Sequence, residues 1–340
     1  MSLASAIRDR DVAELPGKRD EAWRWTDLRG LIRSLPDPSE AFNGDVGAGP
    51  FEALSDDSRV LVNGGEAQID VAAGGQATVA LRLVSRGAGV HAARVAITLG
   101  EGARLQLLES YESDAGSIAQ TEISIRLGEG GAVERIVLAQ DQPDAVSVSQ
   151  AQVRLAPHAS FAQTIIASGA RRQRIETEVF HPGGHATLRL DGIYLLAGKA
   201  HCDQTSVVTH EYADGTTEQL TKGVVRDQAR GVFQGRIVVE EGADRTDARM
   251  GHHALILSDR AEVDAKPELE IYADDVACAH GNTVGALDED ALFYARQRGL
   301  SEADARALLT QAFIGEVVDR IEHEAVRDVV RAWVGDRLRV

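Results

Sequence analysis

A turn that returns about every 27 residues limits the possible folds of this chain more than any other feature. Segments rich in Gly, Asp or His close on Ala77, Ala103, Ala132, Ala159, Ala186, Thr216 and Ala243, at spacings of 26, 29, 27, 27, 30 and 27 residues. A strand-like run follows each, as in Thr78–Val84, Leu105–Leu108 and Val133–Leu138. Several runs alternate apolar and polar residues, the pattern of half-buried strands. No helical pattern separates them, which disfavours βαβ crossovers. A steady period of this size marks stacked units whose neighbours bury a shared core. The expected fold class is mainly β, a parallel β-helix (solenoid) over residues 55–287. A β-sandwich with evenly spaced turns is the competing reading.

Composition narrows the function. Aromatic residues are only 4% of the chain, so the core must be built from Val, Leu, Ile and Ala. The 36 basic and 53 acidic residues leave a net charge of −17. Binding nucleic acid relies on cations that displace counterions, so a polyanionic partner is disfavoured, as is an anionic membrane. No stretch approaches the roughly 20 apolar residues that cross a bilayer. The first ten residues lack the apolar run of a secretion signal, and Cys202 and Cys278 are the only cysteines. A reducing cytoplasm is the expected location.

The flanks differ from the middle. Residues 1–54 read as a helical and loop segment, with Pro and Gly crowded between Pro36 and Pro50. Residues 288–340 read as helical. Asp288 can cap a helix that runs to Arg298, with Gly299 ending it, and Ser301 with Asp304 resembles a capping box. The next helix places Leu308, Leu309, Ala312, Phe313, Val317 and Ile321 on one face, widened by Ile314 and Val318. Val326, Val330, Trp333 and Val334 share a face of the last helix. These faces are expected to pack on each other and cap the solenoid; the alternative is that the surplus apolar width docks a partner.

A self-contained active site is hard to find. The chain lacks a phosphate-binding Walker loop, Gly-x-Ser-x-Gly, Cys-x-x-Cys and His-Glu-x-x-His. The best cluster is Cys278 with His280. On a strand both side chains leave from one face, about 6.6 Å apart. Thiolate and imidazole suit zinc, copper(I) or iron in a sulfide cluster. Two ligands are only half of a closed site, so the rest must come from elsewhere in the chain or from a second chain. A buried thiol and a turn histidine are the plainer reading. His201-Cys202 and His252-His253 are adjacent pairs, which diverge on a strand. His181 and His210 look scattered. Asp274 and Asp275 could serve as paired carboxylates in a carbohydrate-active solenoid enzyme, but neighbouring strand positions also diverge. His252, His253 and Asp247 as a metal hydrolase rank last for the same reason.

From Gln219 to Gly285 the chain resembles the SufB/SufD family of iron–sulfur cluster assembly proteins. The pieces are Lys222-Gly223, Gly231 to Gly235, Thr246 to Ala248, Leu255 to Ser258, Ala265 to Ile271 and Asp274 to Gly281, continued by Leu292 to Gly299. Glu21 to Leu28 carries the family's Trp-Thr-Asp-Leu pattern. The run from Cys278 to Thr283 is closest to the SufD type, from which Ala279 (for Ser) and Asn282 (for Ala) depart. The resemblance implies a right-handed parallel β-helix between helical ends. It also implies a scaffold rather than an enzyme, pairing with SufB and docking the ATPase SufC. A transient iron–sulfur cluster would form at the SufB interface, with His280 the lead candidate for its half-site and Cys278 second. ATP would be bound by SufC, not by this chain, and the resemblance allows a flavin in the complex without indicating a residue for it. Leu308, Leu309, Phe313, Ile314 and Val318 become candidates for docking SufC. Monomer and homodimer both stay open for the isolated chain.

Overall fold

A computed structural model describes residues 2–181 and 184–338. Between Asp57 and Gly285 it holds seventeen strands, which alternate between two sheets. The odd-numbered strands in chain order build a nine-stranded sheet and the even-numbered ones an eight-stranded sheet. Every pairing between these strands is parallel. Two strands per coil make a flattened parallel β-solenoid, as the turn period predicted.

The register refines that period. Gln76, Arg104, Ala132, Ser160, Thr187, Thr216, Asp247 and Ala277 are successive partners, 28, 28, 28, 27, 29, 31 and 30 residues apart. The spacings read from the turns scatter because small residues fall at different depths in each turn. Ala103, Ala159 and Ala186 directly precede a strand, whereas Ala132 and Thr216 begin one. Pro182 and Gly183, in the turn closing on Ala186, lie outside the described residues.

Inward side chains stack into ladders. One runs Ala77, Leu105, Val133, Phe161, Leu188, Thr217, Ala248 and Cys278. Most of its members belong to the main core, which is largely aliphatic as the low aromatic content requires. Two charged residues break the pattern. Arg135 and Glu109 are fully buried and joined by two contacts of 2.7 Å, and Tyr111 donates to Glu109 at 2.9 Å. A charge pair inside a core survives only when nearly every polar atom is satisfied.

The N-terminal flank reaches both faces: its first 28 residues cover the eight-stranded sheet, whereas Phe51 joins the C-terminal helices in the apolar cluster on the nine-stranded sheet. Helix α1 (Leu3–Asp9) is capped by Ser2. Leu3, Leu15, Trp23 and Leu28 pack on Val90, Ile118, Val146 and Val148 of the eight-stranded sheet. Trp23 lies against the buried Arg174, whose guanidinium carbon is 4.3 Å from the ring centre. Arg174 donates to Asp203 and to the Ala22 carbonyl at 2.7 Å each, and Thr26 also donates to Asp203.

Helices α2 (Glu289–Gln297), α3 (Glu302–Val318) and α4 (Glu324–Leu338) follow the last strand. Asp288 and Ser301 cap α2 and α3 as expected. The expected capping of the solenoid is corrected. Ile314, Val317, Val318, Val330 and Val334 pack on the outer face of the nine-stranded sheet, against Ile136, Ile166, Ile193 and Val224. Burying each such side chain contributes roughly 1.5–3 kcal/mol. Lys222 of the sheet pairs with Glu316 and lies 4.5 Å from the Phe313 ring centre. The end of the solenoid is left open.

Candidate functional site

The open end is formed by the last two strands, Glu262–Ile271 and Ala277–Gly285. Each ends its sheet and pairs on one side only, with Arg230–Val239 and Asp247–Ile256 respectively. Their outer edges therefore carry unpaired backbone groups, which favour pairing with another chain. Ile271, Tyr272 and Val284 are exposed at this end.

Cys278 and His280 stand here on the inward side of Ala277–Gly285. Cys278 follows Ala248 in register, and His280 follows Met250; both partners are buried core residues. The two ladders thus end in a thiol and an imidazole, at rungs that no further coil covers. His280 is exposed, whereas Cys278 is half-buried and packs on the core. That burial raises the Cys278 thiol pKa, partly offset by its backbone hydrogen-bond contact with Ala248. A thiol held protonated is a poorer metal ligand, because metals bind the thiolate. His280 is the more accessible of the two.

No group of three or more His, Cys, Asp or Glu side chains able to hold a metal comes together among the described residues. The other candidates are dispersed. Cys202 is enclosed in the core, while His201 turns to the Trp25 carbonyl at 3.0 Å. His252 is buried and His253 faces outward to Thr283 at 2.7 Å. Asp274 and Asp275 are both exposed in the bend between the last two strands. His181 and His210 are not scattered: they are register partners whose ring centres lie 4.6 Å apart. Burial, and then the neighbouring His181, push the His210 pKa down to about 3.

The helical candidates separate as well. Ile314 and Val318 belong to the core beneath α3, and Phe313 is half-buried against it. Leu309 packs on Leu292, Ala295 and Ala305. Leu308 is exposed, as is Ala312, although both fall on the face expected to be apolar and buried. Phe293 and Tyr294 of the preceding helix α2 are 64% and 60% exposed, so exposed apolar residues do exist in the helical tail besides Leu308, at positions the periodicity did not single out.

Residues 81–313 match the family model described as SUF system FeS cluster assembly, SufBD core domain. The chain belongs to the SufBD family. Over 180 residues it is 36% identical to the iron–sulfur cluster assembly protein SufD of Escherichia coli K12, covering 53% of this chain and 42% of that one. Over 143 residues it is 40% identical to the SufBD family protein slr0076 of Synechocystis, covering 42% and 32%. Over 170 residues it is 31% identical to the chloroplastic protein ABCI7 of Arabidopsis thaliana, covering 50% and 36%. The matched stretch thus spans less than half the length of these relatives. Among the described residues no helix is long and apolar enough to cross a membrane.

Proposed function

We propose that this SufBD protein is a SufD-type scaffold subunit. It contributes a half-site for a nascent iron–sulfur cluster at an interface with SufB, and it docks the SufC ATPase through its helical tail. One observation carries the reading: His280 and Cys278 end two inward ladders at an uncapped coil, with too few local ligands to close a site. A second chain that continues the coil would bring the remaining ligands and would pair the open strand edges. The cluster is cargo, held between chains and passed on.

The exposed Phe293, Tyr294 and Leu308 support a docking surface on α2 and α3. Aromatic anchors are the residue type that most often dominates an interface. ATP belongs to SufC in this reading, and the purified chain alone hydrolyses none. The carbohydrate-enzyme alternative loses its support, because Asp274 and Asp275 are adjacent, exposed residues of the turn between the last two strands, with no further carboxylates gathered on them among the described residues.

Gel filtration of the chain co-expressed with SufB and SufC tests the proposal. Wild type is expected to elute as one complex. Tyr272→Lys with Val284→Lys, at exposed end positions, is expected to release SufB while leaving the fold intact. Failure of wild type to form any complex contradicts the scaffold reading.

A further inference from the structure

Two glycines of the family-like stretch, Gly223 and Gly231, have no turn to make. Their reason is Tyr194. A Cβ on Gly223 would stand 1.9 Å from Cζ of Tyr194, and one on Gly231 would stand 2.5 Å from Cε2. The tyrosine ring occupies the space both glycines leave empty, and it is fully buried. Its hydroxyl lies 2.8 Å from Nε2 of His252. The His252 ring stacks on Phe233, with centres 4.7 Å apart and planes 10° apart. On its other side, Nδ1 of His252 lies 2.7 Å from Oδ1 of Asn282.

This geometry fixes the protons. A carbonyl oxygen can only accept, so Nδ1 of His252 carries the hydrogen. A neutral imidazole has a single N–H, so Nε2 accepts from the Tyr194 hydroxyl. Burial holds the ring neutral, pushing its pKa down to about 4. Asn282 is therefore turned with its oxygen toward the core and its NH2 away from His252. Among the described residues no protein group accepts from that NH2. Asn282 shares its face of the strand with His280, about 6.6 Å further along.

We propose that Asn282, aimed by His252 and Tyr194, is a second binding residue of the half-site, donating N–H hydrogen bonds to the anionic sulfur of the cluster beside His280. The inference rests on the reading of His280 given above. N–H donors to cluster sulfur stabilise its negative charge and tune its potential. Tyr194 and His252 act through Asn282 and are positioning residues. The substitution of Asn for the family's Ala at this position gains a chemical reason.

The decisive variant is Asn282→Asp. It keeps an oxygen for His252 Nδ1–H, so the last strand stays tied, but it replaces the outward donors with an acceptor. In the complex co-expressed anaerobically with SufB and SufC, it is expected to leave amide hydrogen exchange over Ala277–Gly285 unchanged. It is also expected to release the cluster to a chelator about tenfold faster, the scale of a lost hydrogen bond to a charged group. Equal release from Asn282→Asp and wild type, while His280→Ala is cluster-free, overturns this inference alone. A full cluster in His280→Ala overturns the underlying reading and this inference with it. Nitrogen NMR of the cluster-free wild type gives an independent readout. The Nδ1–H tautomer of His252 supports the proposal, and the Nε2–H tautomer overturns it, because the amide would then face the other way.

Discussion

Arg135 and Glu109 meet inside the solenoid at 2.7 Å through two parallel contacts, with neither side chain reaching solvent. Burial alone would lower the Arg135 pKa, yet Glu109 turns the net shift upward. Arg135 also donates to Gln163 at 2.6 Å, so its charge is spread over two coils. Removing one partner leaves the other charged and unpaired in a core. Arg135→Met is expected to cost about 3–5 kcal/mol. Replacing both residues together is expected to cost much less than the sum of the single changes. Denaturant midpoints for the two single variants and the double variant measure the difference.

The N-terminal segment is held by a second buried pair, Arg174 with Asp203. Trp23 covers the arginine from outside. Trp23→Ala is expected to open the segment locally before the solenoid unfolds, because Trp23 belongs to a separate apolar cluster. Hydrogen exchange should rise over Leu3–Leu28 and stay low in the central strands. Equal loss of protection in both regions would contradict a separable clasp.

Buried histidines make the fold acid-labile. Burial pushes His201 down to about 4, although nearby Asp203 raises it, and His210 falls to about 3. Both lie below the unfolded value near 6.5. Between those limits the unfolded chain binds more protons, so stability is present above about pH 6.5 and is lost as pH falls toward 4. Each histidine contributes a slope of about 1.4 kcal/mol per pH unit within its window. His210→Gln is expected to flatten the acid limb of stability against pH by about one proton. An unchanged slope would mean that His210 is already protonated in the native state.

Docking and folding should separate on the helical tail. Leu308 is 52% exposed, whereas Ile314 is fully buried against the sheet. Leu308→Asp, combined with Phe293→Asp, is expected to change stability by less than about 0.5 kcal/mol per site. The pair is expected to weaken SufC binding at least tenfold by calorimetry. Ile314→Asp is expected to unfold the tail, because it buries an unpaired charge.

Much of this was legible in the residues, and what was not has physical causes. The stacked coils follow from the turn period, because each coil must repeat the length of the one beneath it. The caps at Asp288 and Ser301 follow from side-chain oxygens placed just before apolar periodicity. The place where the tail packs was not legible. An apolar helix face states that it must be covered, not by what, and Ile314 and Val318 found the outer sheet rather than the open end. Strand alternation assigns a charged residue outward, so Arg135 and Glu109 were invisible as core. His181 and His210, 29 residues apart, become neighbours only through the register. Gly223 and Gly231 gave a signal that could have been read, since glycines within strands often mark a close approach.

The most direct test of the account is the cluster content of the His280→Ala complex. The variant and wild type would be co-expressed anaerobically with SufB and SufC, sized by gel filtration and measured by visible absorbance and iron assay. The account predicts an intact complex that has lost its cluster. An intact complex with its full cluster would contradict it and leave His280 a structural residue at the end of the solenoid.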